Sequence, residues 1–201
     1  MNRFERRSKI AYDKKAVDYD SSFEGKFTEN FKKILLESVQ LKSECQVLDV
    51  ACGNGTLLKL FAEQNSITGY GIDLSENMIR EATLQNPNMT FCVATCDEIP
   101  FVDQTFDVIT VSAAYHHFPH VRRFANEAYR LLKTGGTIYI AEVFYPSVVR
   151  ILCNPLVPLM KDGDVRFYSP REIMRTLSEA GFRDAAYSTS GNIQLVHATK
   201  R

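Results

Sequence analysis

Between Val47 and Leu58 the chain reads VLDVACGNGTLL, an apolar run that carries an acid, Asp49, near its end and then two glycines separated by one residue. Gly53 and Gly55 permit a tight turn and a close backbone approach to a ligand, and the free amides at a following helix start offer hydrogen bonds. A bare strand-to-helix turn would use the same glycines. Asp73 ends a second apolar run, TGYGID, eighteen residues beyond Gly55. From that position a carboxylate accepts both hydroxyls of a ribose, although alone it also reads as a solvated turn aspartate ahead of Ser75. Taken together, the glycine loop and the acid indicate a nucleoside cofactor.

Asp49 and Leu58 separate two cofactor classes. A dinucleotide lays an anionic pyrophosphate over the glycine loop, where a carboxylate is unwelcome, and its G-x-G-x-x-G/A pattern wants a small sixth residue where Leu58 stands. S-adenosylmethionine carries a sulfonium and an ammonium group, for which Asp49 supplies a compensating charge. A strand-end aspartate that hydrogen-bonds its own loop's amides is compatible with the same site. Further along, SAAYHHF (Ser112–Phe118) brings His116 and His117, which titrate near neutrality and are candidates for a general base or for pocket lining. Five cysteines, Cys45, Cys52, Cys92, Cys96 and Cys153, show no repeated spacing and read as reduced thiols. Adjacent histidines on an extended segment would face opposite ways, so no metal site is expected.

The elements that position these residues follow from periodicity. Phe31, Ile34, Leu35 and Val39 have helical spacing, as do Leu57, Leu60 and Phe61, and Met78, Ile79 and Ala82 behind the cap Ser75. Strand-like runs are Gln46–Ala51, Thr68–Asp73, Met89–Thr95, Phe106–Ser112 and Thr137–Val143. A periodic helix from Val121 through Leu132 ends, on this reading, at Gly135 and Gly136. Ser169, Pro170 and Glu172 form a capping box for a helix bearing Ile173, Leu177 and Ala180, and DAAYSTS and NIQLVHATK read as the last strands. Alternating strands and helices predict an α/β fold, a largely parallel sheet covered on both faces, with ligands beyond the strand ends near the switch point.

The 201 residues suit a single domain. Lys plus Arg and Asp plus Glu are 24 each, which argues against nucleic acid as a partner. The run Ile151–Met160 is shorter than the ~20 residues of a membrane span, and MNRFERRSKIAYDKK lacks the apolar core of a secretory signal, so a cytoplasmic location is expected.

VLDVACGNG, GIDLSENMI, EIPFVDQTFDVI and RLLKTGGTIYIAE stand in the order and spacing of the class I S-adenosylmethionine-dependent methyltransferases, and most resemble the methyltransferase type 11 or UbiE-like family. The resemblance implies a Rossmann-like, seven-stranded, mostly parallel sheet with an antiparallel last strand. It implies cofactor contacts from Asp49, Ala51, Gly53 and Gly55, from Asp73, Leu74 and Met78, and from Ser112. Relatives place an aspartate where this chain has Thr95, so the adenine contact falls to Thr95, Cys96 and Asp97. AYDKKAVDYD resembles the helix that folds over the cofactor, with Tyr19, and Tyr12 as a second tyrosine, capping the methionine end. The implied organisation is a helical cap (1–44), a cofactor-binding core (45–143), a substrate lid (144–168) and a C-terminal helix with strands (169–201). The apolar lid, which shows no helical or strand period, would line a pocket, form a homodimer contact or touch a membrane surface.

The expected activity is transfer of a methyl group from S-adenosylmethionine to a small, partly apolar molecule. Two rivals are a non-catalytic cofactor-binding protein that uses the lid for a partner, and a nicotinamide-dependent oxidoreductase. The Asn/Asp-Pro-Pro-aromatic motif of enzymes that methylate nucleic-acid amino groups is absent after the fourth strand, which disfavours a base as substrate.

Overall fold

The computed structural model describes residues 1–201. Seven strands form one sheet: β1 (Cys45–Val50), β2 (Ile67–Asp73), β3 (Thr90–Val93), β4 (Phe106–Ser112), β5 (Leu132–Val143), β6 (Arg183–Ser190) and β7 (Ile193–Thr199). Their order is β3-β2-β1-β4-β5-β7-β6, with β7 antiparallel to both neighbours and the other pairings parallel. The chain reverses its direction of winding between β1 and β4, so the loops after these strands diverge and leave a crevice at their C-terminal ends.

Helices α1 (Arg3–Lys15), α2 (Phe23–Ser38), α3 (Thr56–Gln64), α4 (Glu76–Gln85), α5 (Val121–Leu131), α6 (Ser147–Cys153) and α7 (Pro170–Glu179) surround the sheet. Side chains alternate along β1, so Leu48 and Val50 join one apolar layer with Phe124, Ala128 and Ile173, and Val47 joins the other with Phe31, Leu35 and Phe61. Each large side chain so buried contributes about 1.5–3 kcal/mol. Leu58 lies fully buried in the second layer, which explains a large residue where a dinucleotide loop needs a small one. The Ser75 hydroxyl caps α4 by accepting from Met78 N–H, and the Ser169–Glu172 capping box is present. No helix is long and apolar enough to cross a membrane.

Three expectations about elements are corrected. α5 ends at Leu131, and β5 already contains Gly135 and Gly136; the Gly135 amide donates to Lys200 O and the Lys200 amide to Gly136 O, so the glycines continue the sheet. β3 is shorter than Met89–Thr95 because Thr95 leaves the ladder for a bridge with Glu98. Residues 144–168 contain α6 and a 3-10 turn, Val157–Leu159. No period was visible there because the apolar side chains are exposed on several sides of the segment: Val148, Ile151, Leu152, Leu156 and Leu159 all project into solvent.

Candidate active site

The crevice at the switch point is an open cleft lined from the ends of β1, β2 and β4 and from α1. Its floor comes from two strand ends whose next residues both adopt a left-handed backbone: Ala51 (φ 59°) after β1 and Ala113 (φ 51°) after β4. Alanine at such angles is strained, and strain of this kind gathers where a loop must meet a ligand. Gly53 (φ 54°) continues the first loop, and a β-carbon there would meet nothing nearer than Met78 Sδ at 4.0 Å, so the missing side chain leaves the cleft open.

Asp73, at the end of β2, stands across the cleft from the second loop. Its Oδ2 accepts the Gly53 amide at 3.0 Å and its Oδ1 the Ser75 amide at 2.8 Å. Burial raises its pKa, opposed by these amides. Leu74, Met78, Ala94 and Cys96 form one wall and Ser112, Ala114, Phe118 and Pro119 another. Ser112 lines the cleft, and its hydroxyl is buried without a hydrogen-bond partner.

The roof is α1. Glu5, Ser8 and Tyr12 face inward at helical spacing, and Tyr19 follows from a 3-10 turn. Asp13 fastens the helix to α4 by accepting from the Ser75 hydroxyl at 2.6 Å and the Asn77 amide at 3.3 Å. Glu5 and Ser8 escaped sequence reading because a polar stripe on a charged helix reads as a solvated face; their i, i+3, i+7 spacing with Tyr12 is the signal that was available.

Several expected residues do not reach the cleft. Asp49 is 2% exposed beneath the loop, where the Thr110 hydroxyl donates to it at 2.7 Å; burial lifts its pKa to about 7, so its charge is only partial near neutrality. Gly55 (φ 79°) starts α3 facing away, where a β-carbon would press on Asn86 at 2.9 Å and on Ala82 and Phe91 at 3.1 Å. Its glycine serves the packing of α3 on α4. Thr95 and Asp97 lie outside the lining, Asp97 near Arg123 at 3.9 Å, and Cys96 alone of that trio faces in. No residue of 144–168 lines the cleft.

The histidines depart from the extended geometry. Tyr115–His117 is a 3-10 turn, which puts both imidazoles on one side with ring centres 4.1 Å apart. His117 lines the cleft, and its Nε2 lies 3.2 Å from the Tyr12 hydroxyl. His116 is turned away, its Nδ1 2.8 Å from Glu142 Oε1 and its Nε2 3.3 Å from Asp164 Oδ1. Burial opposes charge on His116, but the two carboxylates outweigh it and raise its pKa to about 10. Burial and the neighbouring His116 charge lower the pKa of His117, so it stays neutral.

The family described as a methyltransferase domain matches residues 48–140. A demethylmenaquinone methyltransferase of Thermotoga maritima is 30% identical over 176 residues, covering 76% of this chain and 76% of the relative. The chain belongs to the UbiE-like S-adenosylmethionine-dependent methyltransferases. This methyltransferase is also 25% identical over 195 residues to a demethylmenaquinone methyltransferase of Paenarthrobacter aurescens, covering 87% of the chain and 77% of the relative. Its fold matches a solved chain from the complex between the Haloferax volcanii Trm112 methyltransferase activator and its methyltransferase, with a TM-score of 0.83 at 19% identity over 94% of this chain and 96% of that one. The methyltransferase is therefore an enzyme whose methyl donor is S-adenosylmethionine, and the nicotinamide and non-catalytic alternatives fall away. The cleft fits that donor: Glu5 and Asp73 line it and no Lys or Arg does, which suits a cation and not a pyrophosphate.

Proposed function

We propose that the protein methylates a carbon of a small, partly apolar aromatic molecule of the hydroquinone class. The observation that carries this is the composition of the wall beside His117. Ala113, Ala114, Phe118 and Pro119 offer an apolar surface with no cation to bind a phosphate or carboxylate, and the Tyr12–His117 pair sits beside it to engage a hydroxyl. The names of the relatives, demethylmenaquinone and ubiquinone/menaquinone C-methyltransferases, support the same class.

Bound here, S-adenosylmethionine would supply a sulfonium methyl group, transferred in line to the acceptor's electron pair with the sulfur leaving as a thioether and the proton of the methylated carbon passing to water. The protein's task is then to position, and alignment of this kind supplies up to ~7–11 kcal/mol. On this reading Asp73 takes the ribose hydroxyls, and the Ala51–Gly53 backbone, Ser112 and Leu74 hold the remainder of the nucleoside. Ala94, Cys96 and Met78 enclose the adenine. Glu5, Tyr12 and Tyr19 cover the amino-acid end, with Glu5 and Asp73 in place of Asp49 as the compensating charges. His117, kept neutral, orients the acceptor's hydroxyl, and His116 is a positioning residue held by Glu142.

The test is incubation with isotopically labelled S-adenosylmethionine and either a naphthohydroquinone bearing an unsubstituted ring carbon or a primary amine of similar size. Label in a carbon–methyl bond of the hydroquinone supports the proposal. Methylation of the amine with none of the hydroquinone overturns it.

A further inference from the structure

Asp164 reaches the histidine pair from the loop between the Val157–Leu159 turn and α7, where the Val165 amide donates to His116 O at 2.8 Å and seats the loop on the histidine turn. The carboxylate oxygen Oδ1 then lies 3.3 Å from His116 Nε2 and 3.6 Å from His117 Nδ1, and all three atoms fall within 4.8 Å of one another. A tetrahedral zinc ion with bonds of about 2.0–2.1 Å holds its ligand atoms about 3.3–3.4 Å apart, so the three atoms need only a small adjustment to share one ion.

A second observation points to the same place. His117 is 10% exposed, and its Nδ1 is buried with no hydrogen-bond partner. The Tyr12 contact fits either tautomer; in the one whose Nε2 hydrogen points at the Tyr12 hydroxyl, Nδ1 presents a lone pair toward a carboxylate oxygen. Two acceptors facing each other in a buried site repel unless an electrophile lies between them. A proton on His116 Nε2 bridges that imidazole to Asp164 and leaves His117 Nδ1 unserved. A metal ion serves all three.

The surroundings supply the outer support that metal-bound histidines have. Glu142, 0% exposed, lies 2.8 Å from His116 Nδ1 through Oε1, and its Oε2 accepts the His116 amide at 3.1 Å. That fixes the ring with Nε2 pointing to Asp164. Tyr12 does the equivalent for His117 through Nε2. Glu142 and Asp164 are both buried beside the imidazoles, so a divalent cation that displaces the proton they hold on His116 finds its charge balanced.

We propose that His116 Nε2, His117 Nδ1 and the Asp164 carboxylate bind a divalent first-row transition ion of zinc's class, leaving a tetrahedral ion one further position for water. Nitrogen and carboxylate donors without thiolate select zinc or cobalt over calcium or magnesium. The site joins the 144–168 segment to the turn that borders the cleft; it shares His117 with the acceptor reading above, but the metal titration needs no acceptor.

The experiment is a titration of the chelator-treated full chain with Co²⁺, read by visible absorption, and with Zn²⁺, read by calorimetry and by the ¹⁵N resonances of the imidazoles. The expected result is one equivalent bound, a tetrahedral Co²⁺ ligand-field spectrum, and Zn²⁺-dependent shifts confined to His116 Nε2 and His117 Nδ1. Asp164→Asn should weaken Zn²⁺ at least tenfold, while Cys96→Ser should leave affinity unchanged. The imidazole measurement needs only the wild-type chain, so it decides even where the Asp164 variant fails to fold. Unchanged imidazole resonances on saturation, octahedral Co²⁺ absorption alone, or loss of binding in Cys96→Ser overturns the proposal.

Discussion

The Tyr12 hydroxyl meets His117 Nε2 at 3.2 Å, which ties the N-terminal helix to the turn after β4 across 105 residues of sequence. On the proposed reading, the bond closes the cleft where the methyl group meets its acceptor. A typical net hydrogen bond is worth about 0.5–1.5 kcal/mol, so Tyr12→Phe should weaken the cofactor or raise the acceptor's KM by about 2–10-fold while the fold persists. Calorimetry and steady-state kinetics read the change. Unaltered constants would mean that the other contacts of α1, among them those of Asp13 and Lys9, hold the roof without this bond.

His117 and His116 should behave differently despite being neighbours. His117→Asn removes a group lining the cleft and should lower kcat/KM by roughly 10–100-fold through misplacement of the acceptor. Because burial and His116 keep His117 neutral, the wild-type rate should show no ionisation of His117 between about pH 6 and pH 8. A limb in that range that vanishes in His117→Asn would make it a titrating base instead.

The two loop glycines should separate folding from binding. Gly55→Ala places a β-carbon against Asn86, Ala82 and Phe91 and should lower Tm by several degrees. Gly53→Ala meets only open space near Met78, so it should cost about 1 kcal/mol for its left-handed backbone and mainly weaken S-adenosylmethionine. Thermal unfolding paired with calorimetry distinguishes them, and the reverse pattern would contradict this geometry.

Asp49 gives a pH dependence of stability. Its folded pKa of about 7 lies above the unfolded value near 3.9, so its contribution is fully present below pH ~4 and is lost as pH rises toward 7. Asp49→Asn retains an acceptor for Thr110 without the buried charge. The variant should gain on the wild type by on the order of 2 kcal/mol between pH 5 and pH 8 in urea unfolding. A gain that is larger at pH 5 would contradict the assignment.

The sheet was readable because its central strands are continuous apolar runs and α5 and α7 carry clean stripes, α7 behind its Ser169–Glu172 capping box, while the antiparallel last strand followed from the family resemblance. The start of β5 was not, since Gly135 and Gly136 look like a helix stop and become strand only beside Lys200. In the site, Gly53 and Asp73 were legible from loop chemistry. Gly55 and Asp49 share that motif but face inward, a distinction set by the packing of α3 on α4 and by Thr110. Asp164 carries no local signal at all; only the return of its loop to the histidine turn brings it into place.

Whether this cleft holds S-adenosylmethionine with its reacting end toward His117 is read most directly from a crystal structure with S-adenosylhomocysteine. Both ribose hydroxyls should lie on Asp73, the adenine against Cys96 and Ala94, the amino-acid end beneath Tyr12 and Tyr19, and the sulfur facing the Ala113–His117 turn. Density outside the cleft, or a bound nucleoside that leaves Asp73 untouched, would contradict this placement.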